Sequence, residues 1–256
     1  MLILSKYIIE DASIRLEVRI YSSQPILMTA RLHDDGERRP KRDRDAFSSA
    51  LVALRTRLRR GDYVLGEPLI IKSLSQALGL STTPIREALA RLSGEGLVEE
   101  RRGSGYFAPP LGVTELSELY HAHETLVLSV IGTQPLEPAT PSSSNEFSHS
   151  GASDGPAELV LTERLFDAII RQAGNRVVFD AYRRVADRLA PARLVEGRAL
   201  QGVDQEVRQL QRQVDEGGRR LDGEVRQFHR RRIRHAQDIV RFIRLSAEEK
   251  YSTNID

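Results

Sequence analysis

At 256 residues, with 40% apolar and 29% charged side chains, the chain has enough apolar material for two ordinary domains and lies far from disordered compositions. It has no cysteine, which excludes a disulfide framework, a zinc knuckle and a thiol nucleophile, and its apolar runs fall short of the roughly 18–20 residues that span a bilayer. The formal charge is only +2, but arginines gather at Arg38–Arg44, Arg55–Arg60, Arg101–Arg102 and Arg230–Arg234, and local basic patches govern attraction to phosphates more than net charge does.

The start, "MLILSKYIIEDASIRLEV", has too short an apolar core and no small-residue cleavage pattern, so no signal peptide is expected. A cytoplasmic protein without membrane contact follows as the expectation. "YIIEDASIRLEVRIY" alternates like a strand before the polar stretch "HDDGERRPKRDRD", which reads as a linker. Residues 1–44 are therefore expected to be an extension and linker, with residues 1–27 carrying little function.

A first helix is expected over Asp45–Arg59, with Phe47, Leu51, Leu54 and Leu58 on one face and Gly61 at its end. A short extended link, "YVLGEPL", leads to a second helix over Ile71–Leu78 that turns Leu74 and Leu78 inward and stops at Gly79. Ser81 is placed to cap a third helix, Pro84 sits in its first turn where a missing amide hydrogen is harmless, and Ile85, Leu89 and Leu92 form its buried stripe. "LVEERRGSGYFA" then reads as a small β-hairpin. Helix, helix–turn–helix and basic hairpin, over residues 45–110, is the order of a winged helix-turn-helix.

From Val113 the pattern is helical again, interrupted by residues 132–157, where Pro, Ser, Thr and Gly predict a flexible loop. Further helices are expected over Glu158–Gln172, Asn175–Leu189 with Asn175 as N-cap, Gly197–Glu216 striped by Leu200, Val203, Val207, Leu210 and Val214, and Leu221–Leu245. The fold class expected is mainly α: a winged helix-turn-helix with a hairpin wing, followed by an all-α bundle over residues 111–247 and a tail at 248–256.

The N-terminal end of the third helix carries Ser81, Thr82, Thr83 and Arg86. A helix fits the major groove, and its first residues are those that reach base edges. Arg86 suits a guanine edge, the hydroxyls and free amides suit phosphate oxygens, and Lys72 suits the backbone or groove rim. Arg101 and Arg102 on the hairpin are candidates for the adjacent minor groove, with Gly103 permitting close approach.

These residues carry a resemblance. "RLRRGDYVLGEPLIIKSLSQALGLSTTPIREALARLSGEGLVEERRGSGYFA" closely resembles the N-terminal winged helix of the GntR family of bacterial transcriptional regulators. The resemblance implies DNA contacts at Lys72, Ser81, Thr83, Arg86, Arg102 and Gly103, and it implies a homodimer on a pseudo-palindromic double-stranded operator, acting as a repressor. Where the family motif has an arginine second in the recognition helix this chain has Thr82, so its operator preference is expected to differ.

The helical half, with "LSELYHAHETLVL" and "FDAIIRQAGN", is similar to the effector domain of the fatty-acid-responsive branch of that family, which implies effector binding and dimer contacts. Many members of that branch hold a divalent metal. The corresponding positions here are Glu163, Asp167, Val207 and His229, too few ligands to converge on an ion, so neither a tightly bound metal nor another cofactor is expected. On the last helix, Leu221, Val225, Phe228, Ala236, Ile239, Val240 and Ile243 form an apolar face with Arg232 near its centre and His229 within it. Arg232 has three readings: pairing with an internal carboxylate, reaching solvent at the domain edge, or receiving a small anionic metabolite. His121 and His123 are further candidates for such an effector pocket. A protein-interaction module and an enzyme are the rival functions. The enzyme reading lacks a nucleophile–base pair, a phosphate-cradling loop and a metal set.

Overall fold

The computed structural model describes residues 4–10, 13–19, 26–30, 41–131, 157–217 and 221–253, in two compact units, Met1–Arg42 and Asp43–Asp256. The first unit contains a three-stranded antiparallel sheet in the order β1 (Leu4–Glu10), β2 (Ser13–Arg19), β3 (Ile26–Ala30). Register pairs Ile9 with Ile14 across the first hairpin and Leu16 with Met28 across the second pair. The sequence predicted one strand and a linker here; the alternation in fact continues through three segments short enough to pair in succession. The expected flexible loop lies outside the described residues except at Ala157, where a helix begins.

The second unit opens with α1 (Lys41–Arg59), four residues longer at its start than the apolar pattern indicated. Leu54 and Leu58 are buried beside Ala50, with Phe47 and Leu51 packed at the margin. Helix α2 (Ile71–Leu78) and helix α3 (Thr82–Gly94) follow, joined by the turn at Gly79. Gly79 has φ +63 and its amide reaches back to Gln76, while the amide of Leu80 reaches Ser75. A side chain at this left-handed position would be strained, so glycine sets the angle between the two helices. The Ser75 hydroxyl donates to the Leu80 carbonyl at 2.5 Å and holds the same turn.

Strands β4 (Glu99–Arg101) and β5 (Gly105–Phe107) form the wing, pairing Glu99 with Phe107 and Arg101 with Gly105. The extended link before α2 joins this hairpin: the Leu69 amide donates to the Tyr106 carbonyl at 2.7 Å and the Gly66 amide to the Ala108 carbonyl at 2.7 Å. Leu54, Leu58, Leu69, Leu74, Ile85, Leu89, Leu92, Leu97 and Val98 share one core.

The bundle consists of α4 (Val113–Ile131), α5 (Ala157–Gln172), α6 (Arg176–Arg193), α7 (Glu196–Ala199), α8 (Val203–Asp215), α9 (Leu221–Arg234) and α10 (Ala236–Thr253). Helix α4 is central and packs against α5, α6, α9 and α10. Asn175 caps α6 as expected, accepting from the amides of Val177 and Val178 at 3.0 and 3.2 Å. Three expected boundaries require correction. Helix α6 runs four residues past Leu189, through Pro191, to Arg193. The helix expected over Gly197–Glu216 is split at Gly202, whose φ of +69 breaks the right-handed run. The last helix is broken at His235, and its second half continues through Thr253, so most of the expected tail is helical.

Candidate functional site

Helix α3 buries Pro84, Ile85, Ala88, Leu89 and Leu92 and leaves Ser81, Thr82, Thr83 and Arg86 exposed at its N-terminal end. The apolar stripe fixes the roll of the helix about its axis, and the roll decides which residues face outward. Lys72, at the start of α2, is exposed as well. Ser81 occupies the N-cap in extended geometry, φ −67 and ψ 163, but its side chain makes no capping bond. That corrects the expected capping role and leaves the hydroxyl uncommitted beside the helix start, where partial positive charge gathers.

The wing separates its two arginines. Arg102 is exposed at the hairpin tip beside Gly103. Arg101 is held down: its guanidinium makes two bonds to Glu99, at 2.9 and 2.8 Å, and stacks 4.0 Å above the Phe107 ring. In this state Arg101 braces the hairpin while its side chain stays 40% exposed. Arg102→Ala is accordingly expected to lower the salt dependence of DNA affinity by about one phosphate contact, while Arg101→Ala leaves that slope nearly unchanged. Equal slopes for the two variants in titrations at several salt concentrations would reverse this assignment.

The basic run Arg55–Arg60 faces the bundle rather than DNA at two of its positions. Arg55 pairs with Asp187 at 2.9 Å and with Glu95 at 2.6 Å. Arg59 makes a forked contact to Glu163 at 2.7 Å and also pairs with Asp187. Arg188 donates to the Gly96 carbonyl at 2.7 Å and pairs with Glu115. Helix α6 thus docks the winged domain through Asp187 and Arg188.

The effector candidates resolve differently from one another. Arg232 is fully buried and internally paired, which removes it as an effector contact. Its Nε donates to Glu196 at 2.8 Å, its Nη1 to Glu206 at 2.9 Å and to the Phe228 carbonyl at 3.0 Å, and Glu196 also accepts from the Tyr120 hydroxyl at 2.6 Å. Burial alone would lower the Arg232 pKa, but Glu196 and Glu206 hold it above the ordinary arginine value. His121 is exposed, outside any internal pocket. His123 and His229 are fully buried and joined at 2.7 Å, Nδ1 to Nε2.

The donors in this pair can be assigned from their neighbours. The His229 Nδ1 lies 2.7 Å from the Val225 carbonyl, which only accepts, so Nδ1 carries the proton and Nε2 accepts. His123 therefore donates from Nδ1, and its Nε2 accepts from the Arg193 guanidinium at 2.7 Å. Burial, helped by Arg232 and Arg193, pushes the His229 pKa down to about 3 despite the Val225 bond. Burial, with Arg193 and His229 as neighbours, pushes His123 well below its usual value. Both imidazoles are neutral and have both nitrogens engaged, so neither is an open effector contact.

The positions considered for a metal are also committed. Glu163 faces Arg59, Asp167 faces Arg183 at 3.3 Å and Val207 is core. Among the described residues, no three His, Asp or Glu side chains converge as metal ligands. Sequence reasoning missed Arg193 and Tyr182. Both lie on the buried α6 stripe Phe179, Tyr182, Ala186, Leu189, Arg193, and ending the helix at Leu189 hid the last member. A cleft of about 430 Å³ lies elsewhere, between Val64, Leu65 and Leu111 on one side and Val240, Ile243 and Arg244 on the other.

Residues 49–107 match the family described as bacterial regulatory proteins, gntR family. The chain is a DNA-binding transcription regulator carrying a gntR-family winged helix. Among curated proteins none matches its sequence. Solved structures similar to it include Escherichia coli McbR/YncC, with 19% identity and a TM-score of 0.50 over 73% of this chain and 96% of that one, and a structure described as a putative transcriptional regulator GntR from Rhodococcus sp. RHA1, with 15% identity and a TM-score of 0.56 over 75% and 98%. At these identities the likeness is one of fold, and it spans both the winged helix and the helical bundle. No helix among the described residues is long and apolar enough to cross a membrane.

Proposed function

We propose that this chain is a metabolite-responsive repressor that binds a pseudo-palindromic operator as a homodimer. Residues 45–110 would read the DNA, and the bundle from residue 111 onward would supply dimer contacts and receive a small-molecule effector, as in the fatty-acid-responsive branch it resembles. The observation that carries the DNA-reading part is the exposed N-terminal end of α3, with Ser81, Thr82, Thr83 and Arg86 outward while the opposite face is wholly buried. A single helix end reads only a short half-site, and pairing two copies is the ordinary route to specificity. The ion pairs from Arg55 and Arg59 to the bundle give an effector a mechanical route to the winged domain.

The test begins with operator selection from random duplexes. Arg86→Ala should then reduce the ratio of specific to random binding by about 5- to 150-fold, the loss of one bidentate base contact worth about 1–3 kcal/mol. An unchanged ratio would remove Arg86 from base reading. Affinity should also fall steeply as salt rises, as phosphate contacts demand.

A further inference from the structure

The winged helix and the bundle keep separate apolar cores. Leu65 of the link before α2 rests on the bundle core, but the contacts that carry direction across this boundary are ionic. Two domains with separate cores and a polar boundary turn relative to one another unless something fixes the angle. Apolar contact is non-directional, whereas a guanidinium fork meets a carboxylate in one plane and at set distances.

These ionic contacts converge on one buried carboxylate. Asp187, its side chain 2% exposed, takes Arg55 and Arg59 from α1 and Arg183 from its own helix, the first at 2.9 Å and the last at 3.5 Å. Arg59 also forks onto Glu163 of α5, so two helices of the bundle hold α1. The recognition helix is held from its far end. Arg55 links Asp187 to Glu95, the C-cap of α3, at 2.6 Å. Arg188, one residue after Asp187, donates to the next carbonyl, that of Gly96, at 2.7 Å. The exposed reading end of α3, Ser81 to Arg86, lies at the other end of a thirteen-residue helix, about 20 Å from these anchors at 1.5 Å per residue. A small turn about the anchors therefore swings the reading end furthest.

A buried ion network adds little net stability, because desolvation offsets the attraction; its best-attested use is to fix register. We propose that Asp187 sets which operator spacing the regulator accepts: it is a positioning residue that holds each winged helix at one angle to its bundle and touches no DNA. The proposal deepens the homodimer reading above and rests on it. In a pair, the two recognition helices enter successive major grooves only when their separation matches that of the half-sites, about 34–36 Å for one helical turn. With the joint fixed, one spacing is engaged at both ends. With the joint loosened, several spacings are engaged, each at a lower effective concentration.

The experiment measures binding of the full chain to duplexes carrying two copies of the selected half-site, at spacings that differ by single base pairs, and to a duplex carrying one half-site. The parent should prefer one spacing over its neighbours by at least about tenfold. Asp187→Asn, and separately Arg55→Gln combined with Arg188→Gln, should compress that preference to within about threefold, while affinity for the single half-site stays within about twofold of the parent. The second variant changes only part-buried side chains. It keeps the test open if Asp187→Asn, which strands three arginines, fails to fold. An unchanged spacing preference in the folded variants would overturn the proposal and leave the homodimer reading standing. Loss of single half-site affinity would also overturn it, since these residues would then act on the reading helix itself. A parent that binds two half-sites no tighter than one would defeat the homodimer reading and the proposal together.

Discussion

Replacing Arg232 with methionine is expected to destabilise the protein by about 3–5 kcal/mol, the usual consequence of deleting one partner of a buried ion pair. The cost does not come from lost attraction alone. Glu196, 3% exposed, would keep only the Tyr120 hydroxyl, and Glu206 only Arg231 at 3.3 Å. The Phe228 ring beneath the guanidinium, 3.2 Å from its carbon, would lose its cation as well. Adding Glu196→Gln and Glu206→Gln to Arg232→Met should recover much of the loss, because the stranded charges are then gone. Urea unfolding of the single and triple variants measures both values. A single variant within about 1 kcal/mol of the parent would mean that the network is not formed in the folded state.

Acid should weaken the fold earlier than its carboxylates alone would predict. His229 is held near pKa 3, and His123 is also well below its ordinary value of about 6.5. Below pH 6.5 the unfolded chain therefore binds protons that the native interior refuses, and stability falls as pH drops, by up to about 1.4 kcal/mol per pH unit for each histidine. Between pH 6.5 and 5 most carboxylates remain ionised, so this interval isolates the imidazoles. Urea midpoints at pH 7.5, 6 and 5 should decline, and the decline should flatten in the double variant His123→Gln, His229→Gln. Equal midpoints at pH 7.5 and 5 in the parent chain would show that both rings take up protons in the folded state.

The DNA-reading end of the molecule was legible because its signals are local. The bounds of α2, the break at Gly79, the buried stripe of α3 and the exposed Arg86 all follow from periodicity and turn chemistry between Ile71 and Leu92. The longer helices were less legible. An apolar stripe runs unbroken through Leu200, Val203 and Val207, although the backbone between the first two reverses hand at Gly202. Helix α6 passes through Pro191, which looks like an end because the ring removes one backbone donor.

By itself, the amino-acid order determined the helix faces, the capping of α6 by Asn175, the mainly helical class and the identity of the residues at the tip of α3. The folded arrangement alone decided which charges meet: Arg55 finds Asp187 across 132 positions, Arg232 finds Glu196 across 36, and Arg193 finds no acid among the described residues. Periodicity places an arginine on a face but carries no information about what packs opposite. A charge acquires its energetic meaning from the dielectric and the partners around it, and these exist only once distant segments have come together.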